Sequence, residues 1–222
     1  MADPPLDDGL IREIEEDLRE EKLARLWKTY GSWIIAACVA LVIGVAVGEA
    51  WQFYREGVRA EATERFTQAL RLADGSPAEA LEQLDALTED APEGLQLLAR
   101  FRAAALAGEI EDPGAAATEY QSMADGIDDQ PLYRDLAVIL ATMNEMAAGA
   151  APDNAAALIE RLEPIDAADN PWRFTARELI AHLALQSGDP TRAREMFQGL
   201  ADDPLTPAGI RARAGDMLAV VS

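Results

Sequence analysis

Two patterns of hydrophobic positions run along the 222 residues. Residues 29–48 carry no charge, and within them Gly31–Gly48 reads GSWIIAACVALVIGVAVG, apolar on every face. On both sides of this stretch, apolar residues recur three and four apart, the period of one face of a helix. Before it, Ile11, Ile14 and Leu18 share a face, and Leu23, Leu26, Trp27 and Tyr30 form a second patch rotated from the first. Asp8 is placed to cap that helix. After it, Trp51, Tyr54, Val58, Ala62, Phe66, Ala69 and Ala73 keep the same spacing, with no proline between Pro5 and Pro77. The spacing predicts a helix that leaves the apolar stretch and becomes the first helix of the body, with Phe66 and Leu70 facing Leu84 and Leu87.

Beyond residue 73 the helical period is punctuated by proline at a regular step. Pro77, Pro113, Pro152 and Pro190 are 36, 39 and 38 residues apart. Three places after each stands alanine: Ala80, Ala116, Ala155 and Ala193. Seven places after stands a large residue: Leu84, Tyr120, Ile159 and Phe197. Ten places after stand Leu87, Met123, Leu162 and Leu200. Offsets of 3, 7 and 10 lie on one face of a helix, so each proline opens a helix with a buried stripe. Ser76, Asp112 and Asp189 precede three of the prolines, which makes an N-cap followed by proline at the first helical position. A second series, Pro92, Pro131, Pro171 and Pro207, interleaves with the first, with Leu95, Tyr133, Phe174 and Ile210 near offset three. Each helix of the second series is followed by one of the first, a helix–turn–helix unit of about 38 residues. Gly188-Asp189-Pro190 with Ala193 and Phe197 resembles the core of a tetratricopeptide repeat, whose usual period is about 34 residues. The predicted fold is all-α: an N-terminal transmembrane helix followed by a TPR-like α-solenoid. The boundaries fall at 1–28 for a charged head with a short amphipathic helix, 29–51 for the span and 52–222 for the repeat domain.

The uncharged stretch of 20 residues is roughly 30 Å long as a helix, the thickness of a hydrocarbon core. Aromatic residues mark its edges, Trp27, Tyr30 and Trp33 on one side and Trp51, Phe53 and Tyr54 on the other, as at membrane–water interfaces. Gly44 and Gly48 form a small-xxx-small spacing that lets a second helix approach. A cleaved signal fits poorly, because some 30 residues rich in acids precede the apolar core, whereas signal n-regions are short and basic. Ile35-Ala36-Ala37-Cys38 has the outline of a lipobox, but only three apolar residues precede Ala36, so Cys38 reads as a small residue within the span. A buried core helix of a soluble domain is the third alternative, and 20 uncharged residues is long for one. Arg12, Arg19, Lys22, Arg25 and Lys28 flank the N-terminal side, against Arg55, Arg59 and Arg65 on the other, a bias toward a cytoplasmic N-terminus. The body then lies outside the cytoplasm.

Composition narrows the chemistry. The net charge is −21, from 40 acids and 19 bases, which argues against nucleic acid as a partner. One cysteine and one histidine leave no disulfide framework and little material for a metal centre. His182 falls inside the helix predicted from Trp172 to Gln186 and reads as a packed helical residue. Asp128-Asp129 and Asp202-Asp203 read as solvated turn residues. The sequence holds no nucleophile elbow and no phosphate-binding glycine loop. No catalytic, cofactor-binding or metal-binding residue is assigned, and the chain is expected not to be an enzyme. A helical solenoid without such a site works as an interaction surface. Tyr133, Trp172 and Phe174 are the aromatic candidates for partner contact, with burial between helices as the competing role for each.

Ile14-Glu15-Glu16-Asp17-Leu18-Arg19 and Leu26-Trp27-Lys28-Thr29-Tyr30-Gly31, leading into the span and followed by the repeats, resemble the ancillary SecYEG translocon subunits of the YfgM type. The resemblance implies a single-pass bacterial inner-membrane protein with a periplasmic TPR-like domain. It also implies contact with translocon subunits and with a membrane-anchored periplasmic chaperone of the peptidyl-prolyl isomerase type. The implied role is adaptor or chaperone for secreted polypeptides. A generic envelope scaffold for cell-division or cell-wall machinery is the alternative that uses the same solenoid.

Overall fold

The computed structural model describes residues 7–110, 112–149 and 151–221, with side chains described for 27–110, 112–149 and 154–221. Among the described residues every regular element is helical. The first, α1, runs unbroken over Asp7–Leu72. Proline is absent from this segment, so nothing removes a backbone donor or forces a break. The boundaries at 28/29 and 51/52 are therefore changes of composition without any change of backbone. Asp8 falls within α1, and its side chain lies outside the described ones. The apolar faces read over residues 11–26 lie outside the described side chains.

The chain divides into two compact units, Met1–Arg59 and Ala60–Ser222, so the boundary falls inside α1. In the first unit Trp27 lies over Gly31, and a Cβ there would meet the indole at 3.3 Å. The second unit is built from the end of α1 and from α2 (Pro77–Asp90), α3 (Glu93–Ile110), α4 (Pro113–Gly126), α5 (Pro131–Ala147), α6 (Ala151–Leu162), α7 (Arg173–Gln186), α8 (Pro190–Asp202) and α9 (Ala208–Val220). Each consecutive pair from α2 to α9 packs together, and α5 with α7 and α7 with α9 touch one step further along. A helix that meets chiefly its sequence neighbours is the signature of a solenoid.

Both proline series open helices. Pro77, Pro113, Pro131 and Pro190 are first residues, where the missing N–H costs nothing, and Pro92, Pro171 and Pro207 stand one or two places before. Asp112 and Asp189 cap as expected, accepting from the backbone N–H of Ala115 and of Arg192 respectively, each at 3.0 Å. Ser76 makes no side-chain cap; its own N–H instead donates to Leu72 O at 2.7 Å, which closes the tight turn out of α1. Gly188 takes φ +83°, a left-handed conformation that ends α7. Its N–H donates to Leu185 O and that of Asp189 to Ala184 O, so one turn ends α7 while its second residue caps α8.

The stripe predicted at offsets 3, 7 and 10 forms the core. Ala80, Leu84, Ala116, Tyr120, Ala155, Ile159, Ala193 and Phe197 are all buried, as are Leu87, Met123, Leu162 and Leu200. Alanine at offset three lets backbones close up: a Cβ on Gly108 of α3 would lie 2.7 Å from the Cβ of Ala116 on α4. At the start of the unit, Ala62, Phe66 and Ala69 of α1 join the cluster that holds Leu84 and Leu87. Leu70 does not; it is exposed at the edge of the 62–66–69–73 stripe. The α6–α7 connection also differs from a plain turn. A 3-10 turn over Glu163–Asp166 buries Ile165 against the α6–α7 core, adding residues to that repeat.

Candidate interaction surface

Two surfaces stand out, one in each unit. In the first unit, the apolar residues of α1 project from a single helix and, among the described residues, are nearly all exposed. Trp33 is 76% exposed and Phe53 80%, and Tyr30, Trp51 and Tyr54 are also exposed. Among the described residues α1 contains the one helix long and apolar enough to cross a membrane. Some 20 exposed apolar positions on a helix in water would be a large unfavourable area, whereas in lipid the same side chains are solvated. The aromatics flank this stretch at the positions read from the sequence, and Cys38 lies exposed inside it.

In the second unit the aromatic candidates part company. Phe174 is buried among Ala181, Phe197 and Ile210, with the Arg173 guanidinium 4.1 Å from its ring centre. Of its two expected roles, Phe174 here takes burial between helices. Trp172 is half-buried, and its Nε1 donates to Leu132 O at 3.0 Å, which ties the α6–α7 connection to the start of α5. Asn170 reinforces the tie: its Nδ2 donates to the buried carboxylate of Asp135 at 2.7 Å, and its Oδ1 accepts from the Trp172 N–H. Tyr133 is exposed at the side of the Phe101 ring, 6.5 Å between centres.

The titratable groups are mostly structural. His182 meets the Phe197 ring edge-on at 5.1 Å, and burial pushes its imidazole pKa below the ordinary value, with Glu178 opposing and Arg213 assisting. Glu178 is itself buried and accepts two bonds of 2.7 Å from Arg213 of α9. That pairing holds the Arg213 guanidinium above its usual range. Asp128 and Asp129 are exposed at the α4–α5 turn, and Asp203 caps its own turn by accepting from the Leu205 N–H. Among the described residues no group of three or more histidine, cysteine or acidic side chains is arranged to hold a metal ion.

A groove of about 450 Å³ opens between α2 and α4 over α3. Leu81, Asp85 and Thr88 come from α2, Thr118 and Glu119 from α4, and Ala103, Ala104 and Ala107 form its floor. Arg100 lines it as well. Burial, and then the charge of Glu119, raises the Asp85 carboxyl above the usual carboxylate range. No sequence signal pointed to this groove, because its walls come from helices whose opening prolines are 36 residues apart and which meet only when the repeats stack.

A family model for a tetratricopeptide repeat-like domain matches residues 24–203. The chain belongs to this family. The match begins in α1 ahead of the apolar stretch and ends at Asp203, before α9. No curated protein and no solved structure matches the chain. Repeat domains of the TPR-like kind typically act as non-catalytic scaffolds for other proteins, because each repeat adds surface while its polar residues are spent on holding turns and helix ends. In this TPR-like domain Asp112, Asp135, Asn170 and Asp189 are used in that way.

Proposed function

We propose that the chain is a non-catalytic, membrane-anchored TPR-like adaptor that works beside the Sec translocon and helps secreted polypeptides as they emerge. The observation that carries this reading is α1. One continuous helix holds both the exposed apolar stretch and the first packed residues of the TPR-like domain. A polypeptide that leaves a channel in the same membrane then meets the domain at a raised effective concentration. The junction sequence Leu26-Trp27-Lys28-Thr29-Tyr30-Gly31, with the acidic and basic residues ahead of it, supports the translocon as the neighbour through its resemblance to YfgM-type subunits. The same resemblance supports a membrane-anchored periplasmic peptidyl-prolyl isomerase-type chaperone as the second partner. The flanking bases support a cytoplasmic N-terminus, with residues 52–222 in the periplasm of a bacterial inner-membrane protein. Protease added to intact spheroplasts then removes the body, and a protected body contradicts that orientation. The function is tested by identifying what co-purifies with the full chain from gently solubilised membranes. Translocon subunits or the chaperone are the expected partners; recovery of only division or cell-wall proteins replaces the reading with an envelope scaffold.

A further inference from the structure

The groove between α2 and α4 combines an alanine-rich floor on α3, the helix that also brings Arg100, with an acid on each wall. Those two helices together hold seven acidic side chains and no basic one. The corresponding helices of the later repeats carry arginines that pair with acids of adjoining elements, Arg161 with Glu145 of α5 and Arg192 with Glu163 of the 3-10 turn. Among the described residues Asp85 and Glu119 make no ion pair, and Arg100 in the same groove is not paired with either. Two of the seven, Asp85 and Glu119, line the hollow, against one arginine.

We propose that this groove docks a lysine- or arginine-rich segment of a partner polypeptide, with a cationic head between Asp85 and Glu119 and its aliphatic stem along the alanines of α3. Charge and shape both select that occupant. Two carboxylates that line one groove are relieved by a cation, and repelled further by an acidic segment. A long basic side chain keeps its methylenes on apolar surface while its head stays in water, which suits an alanine floor beneath a wet acidic rim. A second copy of this chain, at net charge −21, is a poor competitor. The inference rests on the adaptor reading only in that the partner is a polypeptide; it does not need the translocon.

The test uses the full chain in nanodiscs of zwitterionic lipid and a fluorescein-labelled peptide of alternating arginine and alanine. A peptide of equal length with glutamate in place of arginine is the comparison. Fluorescence anisotropy is expected to show binding of the arginine peptide alone, weakening as salt rises. Asp85→Asn with Glu119→Gln is expected to weaken it about tenfold, the sum of two partly screened charge pairs. Glu195→Gln with Asp216→Asn removes the same charge from exposed positions on α8 and α9 and is expected to change affinity less than about twofold. Both doubles should melt no lower than the parent, and a benzophenone on the peptide should crosslink to α2 or α4. Equal weakening by the two doubles, crosslinks confined to other helices, equal binding of the glutamate peptide, or no binding of the arginine peptide overturns the groove assignment. None of these results bears on which proteins co-purify from membranes, so the adaptor reading stands or falls separately.

Discussion

Phe197→Ala is the most direct perturbation of the repeat. Phe197 is fully buried on α8, where its ring packs with Phe174, Leu200, Ile210 and Ala214 and takes the edge of His182. Truncation loses the transfer free energy of the ring and leaves a cavity bounded by three helices, together about 3–5 kcal/mol. The edge-on aromatic contact adds about 0.5–1.5 kcal/mol to what burial alone gives, which places the cost toward the upper end. For a chain of this size each kcal/mol moves the midpoint by about 2–4 °C, so a fall of roughly 6–20 °C is expected. Two substitutions on the same helix serve as references. Ala193→Leu overpacks a fully buried helix contact and should cost about 1–3 kcal/mol, while Glu195→Ala, exposed, should stay within about 0.5 kcal/mol. Thermal melting by far-ultraviolet circular dichroism on the full chain in detergent ranks the three. Hydrogen exchange then locates the damage. Because repeats lean on their neighbours, Phe197→Ala should lose protection in α7–α9 and leave α2–α4 protected. Equal shifts for all three variants, or uniform loss of protection, would refute the assigned register.

Three further outcomes follow from single contacts. Gly108→Ala places a methyl group 2.7 Å from the Cβ of Ala116, so α3 and α4 must part, and the midpoint should fall by an amount corresponding to about 1–3 kcal/mol. Arg213→Ala strips the partner from the buried Glu178 carboxylate and should cost about 1–2 kcal/mol, below the figure for a fully buried pair because the guanidinium is largely in water; adding Glu178→Gln should recover part of the loss in a melting experiment. His182 is held below its ordinary pKa of 6.5, so its neutral form is favoured by folding. That contribution is complete above the unfolded value and is lost as pH falls through it toward the lower folded value. Melting temperature should therefore drop more on acidification through this window for the parent than for His182→Gln, and parallel curves would count against the assignment.

Much of the helical framework is legible in the sequence, since proline at a helix start and alanine at offset three act locally. Proline has no N–H to lose at Pro77, Pro113 or Pro190, and an acid before it supplies the cap at Asp112 and Asp189. Ser76 shows the limit of that logic, because its backbone N–H is committed to Leu72 by the turn, a constraint set by the preceding helix. Leu70 shows another: helical periodicity places it beside Phe66, but Ala69 is the residue that approaches Leu84 and Leu87. Aromatic character alone could not separate Phe174, which enters the core, from Tyr133, which stays exposed. The pairs that join distant turns, Asn170 with Asp135 and Arg213 with Glu178, each span 35 residues, nearly one repeat, and leave no local pattern. The groove between α2 and α4 was illegible for the same reason, since it depends on how two repeats stack.

The central claim is that α1 holds a TPR-like adaptor against the secretion machinery. Photocrosslinking residues placed one at a time between Trp33 and Val47, and from Trp51 to Tyr54, test it in intact cells. The account predicts crosslinks to translocon subunits or to a membrane-anchored periplasmic chaperone, and weaker association when the body is detached from its anchor. Crosslinks to division or cell-wall proteins alone, or an association that survives loss of the anchor unchanged, would contradict it.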